Sequence, residues 1–173
     1  LDASLPKIVE FLSSSSIRVR LLTNGYHIGG DLLEALRSCA ACEVVVGLKT
    51  PDPVKHLKYT GKPLAPVLQN VKRLLGAGIK VSFETVLIPG LNGVREVEEL
   101  ARIIGEMAGR AVLVIDPLVP VPGVQWRRPS DEEVREAVER ASRYVEAKTH
   151  TAGGRASRAV VVFPRKQYLN MGQ

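Results

Sequence analysis

Residues 64–90 read LAPVLQNVKRLLGAGIKVSFETVLIPG, and this stretch decides the fold class. Its first half predicts a helix, because apolar side chains recur at three- and four-residue spacing on one face: Leu64, Val67, Leu68, Val71, Leu74 and Leu75. Gly76 and Gly78 then end that helix, as glycine commonly does at helix carboxyl ends. The run over 79–88 predicts a strand that stops at Pro89-Gly90. A helix followed at once by an apolar strand is the repeating unit of a parallel α/β sheet.

The same alternation of helix and strand extends over the whole chain. We predict further helices near residues 5–12, after a cap at Asp31, across 97–107 and over 131–145, and further strands at 17–22, 44–46, 111–115 and 159–163. Residues 117–123 contain three prolines and cannot be helical, whereas residues 130–133 form a capping box that begins the last helix. Four or five βα units are too few to close an eight-stranded barrel. We therefore predict an α/β fold, a partial (β/α) barrel of parallel strands, with residues 1–173 forming a single domain.

Composition limits the classes of partner. Of the 173 residues, 45% are hydrophobic and 24% charged, so the chain can bury a core without needing disulfides. The net charge is +6, but aromatic residues make up only 5% of the chain. Most basic residues alternate with Glu along the predicted helices, which is typical of solvated faces. We therefore expect no nucleic-acid partner.

The sequence also bears on location. No apolar run reaches the roughly 20 residues that span a bilayer, so we expect no membrane partner. The amino terminus lacks the features of a signal peptide. It also lacks Met, which leads us to expect that the chain begins inside a longer protein. Only two cysteines occur, a scarcity typical of the reducing cytoplasm, and we predict a cytoplasmic location.

Ligands of parallel βα folds collect at the carboxyl ends of the strands, where loops and helix amino ends converge. Thr23-Asn24-Gly25, Lys49 and Ile88-Pro89-Gly90 lie at such ends, as do Asn92 and residues 117–123. The ammonium group of Lys49 either binds a carboxylate or phosphate or is solvated in a loop. Pro89-Gly90 is either a tight turn or a place where bare backbone lets a planar ligand approach. Thr23-Asn24-Gly25 is likewise a turn, a site, or both.

Cys39 and Cys42 form a CxxC pair, which permits a metal, redox or structural interpretation. A closed zinc site needs four ligands, and the three histidines show no ligand spacing with this pair. The pair lies between a predicted helix and a strand, so we favour packing of two small apolar side chains. We predict no metal ligands and no catalytic nucleophile in this chain, and we expect His56 to hydrogen-bond a backbone carbonyl.

The order of several short motifs resembles one branch of a known superfamily. These motifs are Thr23-Asn24-Gly25, Val45-Val46-Gly47-Leu48-Lys49, Asp52-Pro53-Val54-Lys55-His56, Tyr59-Thr60-Gly61, Ile88-Pro89-Gly90-Leu91-Asn92 and Trp126-Arg127-Arg128-Pro129-Ser130. Over about residues 5–147 the chain is similar to the glycyl-radical-enzyme activating branch of the radical S-adenosylmethionine (radical SAM) superfamily, which includes activating enzymes of pyruvate formate-lyase. The resemblance implies a (β/α)6-type barrel of which this chain is the carboxyl-terminal portion, without its first strand or strands.

The resemblance also implies chemistry and partners. S-adenosylmethionine and a [4Fe-4S] cluster would meet at the barrel mouth, where reductive cleavage yields a 5′-deoxyadenosyl radical that abstracts hydrogen from a substrate. Thr23, Asn24, Gly25, Lys49, Ile88, Pro89 and Gly90 would contact the S-adenosylmethionine. The implied partner is a glycyl-radical enzyme or another protein substrate.

The sequence departs from the family pattern at identifiable positions. The CxxxCxxC cluster motif is expected before Leu1, an acid is replaced by Gly47, an Arg by Glu84, and a His near 119–121 by Val119 and Val121. Two hypotheses follow: the core of a radical SAM enzyme that is inactive as this chain alone, or a degenerate, non-catalytic barrel that serves as a binding or scaffold module. A third, a basic nucleic-acid-binding domain, rests on the net charge alone. An unpaired sheet edge would be covered by the strand at 159–163 or by a second copy in a homo-oligomer.

Overall fold

The computed structural model describes residues 3–149 and shows one five-stranded, all-parallel sheet in the order β1-β2-β3-β4-β5, with six helices. The elements are α1 Leu5–Ser14, β1 Val19–Thr23, α2 Gly30–Arg37, β2 Cys42–Gly47, α3 Pro53–Thr60, α4 Ala65–Gly76, β3 Lys80–Leu87, α5 Val94–Ala108, β4 Val112–Pro117, α6 Asp131–Ala141 and β5 Glu146–Lys148. Each strand therefore pairs with the next strand along the chain, in parallel register. The predicted α/β class with parallel strands is confirmed.

The core lies between one face of the sheet and the helices. Val44 and Val46 of β2 and Phe83 of β3 are wholly buried against this layer, together with apolar side chains of α4 and α5. Because successive side chains of a strand point to opposite faces, the alternate residues of β2 and β3 lie on the face that these helices do not cover. No helix in residues 3–149 is long and apolar enough to cross a bilayer.

Three local expectations need correction. Gly29, and not Asp31, is the residue that caps α2; Asp31 lies inside its first turn, and Gly29 has the extended backbone that a cap position requires. The last described helix ends at Ala141 and does not continue to 145, and the chain turns directly into β5, which was not predicted. β5 has only three residues, too few to show a strand pattern. The strand predicted at 159–163 lies outside the described residues.

Asn92 holds the loop after β3 against the end of that strand. Its side-chain nitrogen donates hydrogen bonds to Thr85 Oγ1 at 3.0 Å and to the carbonyl of Val86 at 2.8 Å. Its backbone N–H and carbonyl both pair with Ile88, at 2.9 Å each. Asn92 is fully buried, so these bonds are made without competition from water.

We predict that Asn92→Ala lowers the free energy of unfolding by about 1–3 kcal/mol, because the substitution leaves the buried Thr85 hydroxyl and Val86 carbonyl with fewer partners. Urea denaturation measures the difference. Gln69→Ala, which removes an exposed amide from α4, is the matched control. Equal stabilities of the two variants would show that Asn92 is not a structural anchor.

The start of α6 anchors the proline-rich segment that precedes it. Ser130 caps the helix by accepting from the backbone of Glu133, whose carboxylate accepts from the Ser130 N–H at 2.8 Å, as the sequence predicted. Both carboxylate oxygens of Glu133 also accept from the Arg127 guanidinium at 2.7 Å. These bonds, the one from Arg127 first, lower the pKa of Glu133 to about 2.

Because its pKa is lowered on folding, Glu133 stabilises the protein above its ordinary value of 4.5 and loses this effect as the pH falls towards 2. We predict that Glu133→Gln, which keeps the cap, lowers Tm by about 1–2 °C at pH 7. The difference from the parent chain should shrink progressively between pH 4.5 and pH 2 in calorimetric scans.

The control is Glu132→Gln, which removes a neighbouring charge from the same helix amino end and so shares any effect of the helix dipole. A Glu133→Gln difference that is independent of pH, or that Glu132→Gln reproduces, contradicts the assignment.

Candidate functional site

The sheet face away from the helices carries charged and polar side chains. Near the amino ends of the strands, the Glu43 carboxylate accepts from Ser82 Oγ at 2.8 Å and lies 3.9 Å from both Arg20 Nε and Lys80 Nζ. Near the carboxyl ends, the same face carries Lys49 and Glu84. This face therefore carries charged groups near both ends, with Val45 between them, unlike the apolar face that packs on the helices.

Gly47, the last residue of β2, lies beside Lys49 and beside Glu84, which is in the middle of β3. Gly47 pairs with Glu84 in the strand register, and the Leu48 N–H continues that pairing by donating to the Glu84 carbonyl at 2.9 Å. A Cβ on Gly47 would lie 3.4 Å from Glu84 Oε1 and 3.4 Å from Lys49 Nζ. An ammonium group and a carboxylate thus approach the same point above Gly47, where no side chain stands. No ion-pair partner within 4 Å engages either group among residues 3–149.

Thr23-Asn24-Gly25 forms a hydrogen-bonded turn at the end of β1. Thr23 Oγ1 accepts from the Gly25 N–H at 3.1 Å, and Asn24 Oδ1 accepts from the Tyr26 N–H at 3.1 Å. Gly25 is buried with φ +71°, and a Cβ there would come within 3.0 Å of Val46 and Val67. This position needs glycine both for its left-handed backbone and for close packing. Thr23 borders the same region as Gly47, since its carbonyl lies 3.7 Å from the Cβ position of Gly47.

Two side chains of α4 fix the loop that follows this turn. Asn70 donates to the carbonyls of Gly25 and Tyr26 at 3.0 and 3.1 Å. Arg73 donates to the Ile28 carbonyl and to Asn70 Oδ1, both at 2.8 Å. The loop after β1 is therefore set by α4 as well as by its own turn.

Ile88-Pro89-Gly90 turns the chain outward at the end of β3. Ile88 is buried, Pro89 is half-buried, and Gly90 is exposed with φ +90°, a backbone conformation that glycine adopts at little cost. The Trp126 ring lies 3.9 Å from the position that a Cβ on Gly90 would take. The turn thus contacts the segment that follows β4.

Helix α3 begins at the loop after Lys49 and is fixed at both ends. Asp52 caps it by accepting from the N–H groups of Val54 and Lys55. These two hydrogen bonds, the one from Lys55 first, lower the pKa of Asp52. His56, in the middle of the helix, fixes the chain just beyond the other end, because its Nδ1 lies 2.9 Å from the Lys62 carbonyl. This contact confirms the predicted bond of the histidine to a backbone carbonyl.

Lys55 joins α3 to α5 through a salt bridge to Glu96, with Nζ and Oε1 2.5 Å apart. The hydrogen bond to Glu96 raises the pKa of Lys55. Burial alone would raise the pKa of Glu96, but the bonds from Lys55 and from backbone outweigh it and lower that pKa. Both groups therefore stay charged at neutral pH.

A cavity of about 520 Å³ lies between α3, the turn after β3 and the segment after β4. We call it the Trp126 cavity; it is lined by Lys55, Lys58, Tyr59, Gly90, Leu91, Gln125 and Trp126. The Tyr59 and Trp126 rings meet edge to face, with centroids 5.6 Å apart. Its wall thus combines two aromatic rings with two ammonium groups.

Cys39 and Cys42 are buried, as predicted, but they are joined in a disulfide and are not two separate thiols. Cys42 is the first residue of β2, so the disulfide lies at the opposite end of the sheet from Lys49. Among residues 3–149, no group of three or more His, Cys, Asp or Glu side chains could hold a metal ion.

The structure brings together some predicted site residues and adds others. Thr23 and Lys49 meet around Gly47, whereas Gly90 lies at the Trp126 cavity. Glu84 and Gly47 were identified from the sequence only as departures from the family pattern and were not placed in a site. Alternation of polar and apolar residues from Lys80 to Glu84 was the signal that could have found Glu84, because it places Lys80, Ser82 and Glu84 on one face of the strand.

Known proteins are similar to this chain in sequence. The family model of the Radical SAM superfamily matches residues 1–104. The chain is 33% identical over 108 residues to the benzylsuccinate synthase activating enzyme of Thauera aromatica, a match that covers 62% of this chain and 32% of that enzyme. The chain thus spans about a third of the length of this relative.

Two solved structures have a similar fold. A domain of pyruvate-formate lyase-activating enzyme from Bacteroides vulgatus superposes with a TM-score of 0.71 at 16% identity, covering 85% of this chain and 89% of that one. The structure of SuiB from Streptococcus suis bound to S-adenosylmethionine superposes with a TM-score of 0.72 at 16% identity, covering 84% of this chain and 36% of that one. The match of the family model over more than half of the sequence shows that this chain belongs to the Radical SAM superfamily.

Proposed function

We propose that this chain binds S-adenosylmethionine at the carboxyl ends of β2 and β3, as part of a radical SAM protein of the activating-enzyme type. The observation that carries the proposal is the approach of Lys49 Nζ and Glu84 Oε1 to one point above Gly47, each 3.4 Å from the position of a Cβ there. The methionine moiety of S-adenosylmethionine carries both a carboxylate and an ammonium group. Lys49 suits the carboxylate and Glu84 the ammonium group, so the two charges together select a zwitterion.

Several neighbours support this placement. Thr23 borders the same space through its carbonyl, and the turn at Ile88-Pro89-Gly90 ends the strand that carries Glu84. We propose that Thr23-Asn24-Gly25 and Ile88-Pro89-Gly90 form the walls of the site, with backbone contacts to the nucleoside part of the ligand. Membership in the superfamily and the activating-enzyme relative are in keeping with this ligand.

The superfamily also implies a [4Fe-4S] cluster, which supplies the electron for reductive cleavage. The described residues do not fit a cluster, because they offer no group of three metal ligands and both cysteines are in a disulfide. Our proposal for this chain is therefore confined to binding and orienting S-adenosylmethionine. We further propose that the protein acts on another protein, as a glycyl-radical-enzyme activase would.

We predict that Lys49→Met weakens S-adenosylmethionine binding about ten- to a hundredfold, because a charge-assisted hydrogen bond to the ligand carboxylate is lost. Glu84→Gln, which removes the charge but keeps the size, should weaken it about fivefold. Calorimetric titration of the full chain measures both constants.

Lys72→Met, on the exposed face of α4, is the matched control and should bind as the parent does. A second ligand, 5′-deoxyadenosine, lacks the amino acid moiety, so its affinity should not change in Lys49→Met. Equal affinity of the parent and Lys49→Met for S-adenosylmethionine would contradict the proposal and favour the degenerate, non-catalytic barrel.

We also predict that the 173-residue chain, treated with iron, sulfide and dithionite, forms no 5′-deoxyadenosine from S-adenosylmethionine, because its two cysteines are too few for a three-cysteine cluster motif. Chromatography of the reaction mixture detects the product. An activating enzyme that carries the full motif, treated in parallel, serves as the positive control, and product from the chain alone would overturn this prediction.

A further inference from the structure

The Trp126 cavity has a chemical character that the S-adenosylmethionine site does not explain. Tyr59 and Trp126 form an edge-to-face pair with an interplanar angle of 80°, so flat apolar surfaces lie beside the entrance. Of the two cavity lysines, Lys55 is neutralised by Glu96. Lys58 has no carboxylate within 4 Å among the described residues. The cavity is therefore apolar with one uncompensated positive charge.

Exposed apolar side chains extend from this cavity in two directions. Val54, 76% exposed, lies one helical turn before Lys58 on α3. Val121 and Val124, the former 62% exposed, lie shortly before Gln125 in the segment after β4. Exposed apolar side chains that flank a cavity commonly mark a site of protein interaction.

We infer that the Trp126 cavity and these flanking valines form a docking surface for an extended peptide segment with apolar and acidic side chains, carried by a partner protein. An apolar side chain enters beside Tyr59 and Trp126, the residue types that most often dominate binding energy at interfaces. A carboxylate two or three residues away pairs with Lys58. The inference rests on the proposed function in one respect only, that this partner is the protein substrate.

Charge complementarity selects this occupant over two others. A second copy would bring the same uncompensated lysine to the interface, and like charges repel. Residues 150–173 of this chain include Arg155, Arg158, Arg165 and Lys166 but no Asp or Glu, so they do not complement a positive surface. An acidic segment of another protein does.

Binding can be measured directly because Trp126 is the only tryptophan of the chain and lines the cavity. The probes are an acetylated hexapeptide Glu-Phe-Glu-Ser-Leu-Glu and a companion in which each Glu is replaced by Lys. Titrated into the full chain, the acidic peptide should shift Trp126 emission and bind at least about tenfold more tightly than its companion, with an advantage that falls at high salt. Equal binding of the two peptides would overturn the inference.

Two variants test the residues, with a fluorescein-labelled acidic peptide and anisotropy as the readout. Lys58→Glu should weaken binding about tenfold, and Trp126→Ala by at least as much. Lys7→Glu makes the same charge reversal on the exposed side of α1 and should leave the affinity within about twofold. Thermal melting of each variant, followed by circular dichroism, confirms that it is folded. Equal losses in Lys58→Glu and Lys7→Glu would contradict the assignment.

The outcome is separable from that of the proposed function. Peptide binding by a chain that does not bind S-adenosylmethionine would support the docking surface and overturn the proposed function. S-adenosylmethionine binding without peptide binding would support the proposed function and overturn the docking surface.

Discussion

The parallel register that pairs Gly47, the last residue of β2, with Glu84 in the middle of β3 fixes where the charged groups of this molecule lie. Parallel pairing places all strand ends at one edge of the sheet, and the helices bury one face of it. Charged side chains on the central strands must therefore occupy the other face. The register then sets the Glu84 carboxylate beside Gly47, which has no side chain, and the ammonium group of Lys49, two residues after Gly47, lies near the same point.

The loops at this edge are held in place by buried or half-buried hydrogen bonds. Asn92 fastens the loop after β3 to Thr85 and Val86, while Asn70 fastens the loop after β1 to α4. Each contact spans from a loop to a regular element, so the rigidity of the sheet and helices extends to the loops. A binding site on such loops is ordered before the ligand arrives, which lowers the entropic cost of binding.

The molecule separates two kinds of recognition along one edge. Around Gly47 the groups are charged and opposite in sign, which suits a small zwitterion. At the Trp126 cavity, 520 Å³ in volume, they are aromatic and positive, which suits part of a larger chain. The turn at Ile88-Pro89-Gly90 connects the two regions, because it ends β3 and contributes Gly90 to the cavity.

The alternation of helices and strands, the parallel α/β class, the cap at Ser130 and the candidate strand ends are all predictable from local spacing and propensity. Which strand-end residues meet depends on tertiary packing. The register between β2 and β3 brings Glu84 to Gly47, near Lys49, and the packing of α3 against a loop brings Tyr59 to Trp126, 67 positions later. The tertiary structure also joins Cys39 to Cys42 and ends α6 at Ala141. The contacts of Glu84 and Trp126 join residues far apart in sequence and arise from the arrangement of whole elements, so no local pattern records them, whereas the pairing of Cys39 with Cys42 is local and was left open by its CxxC spacing.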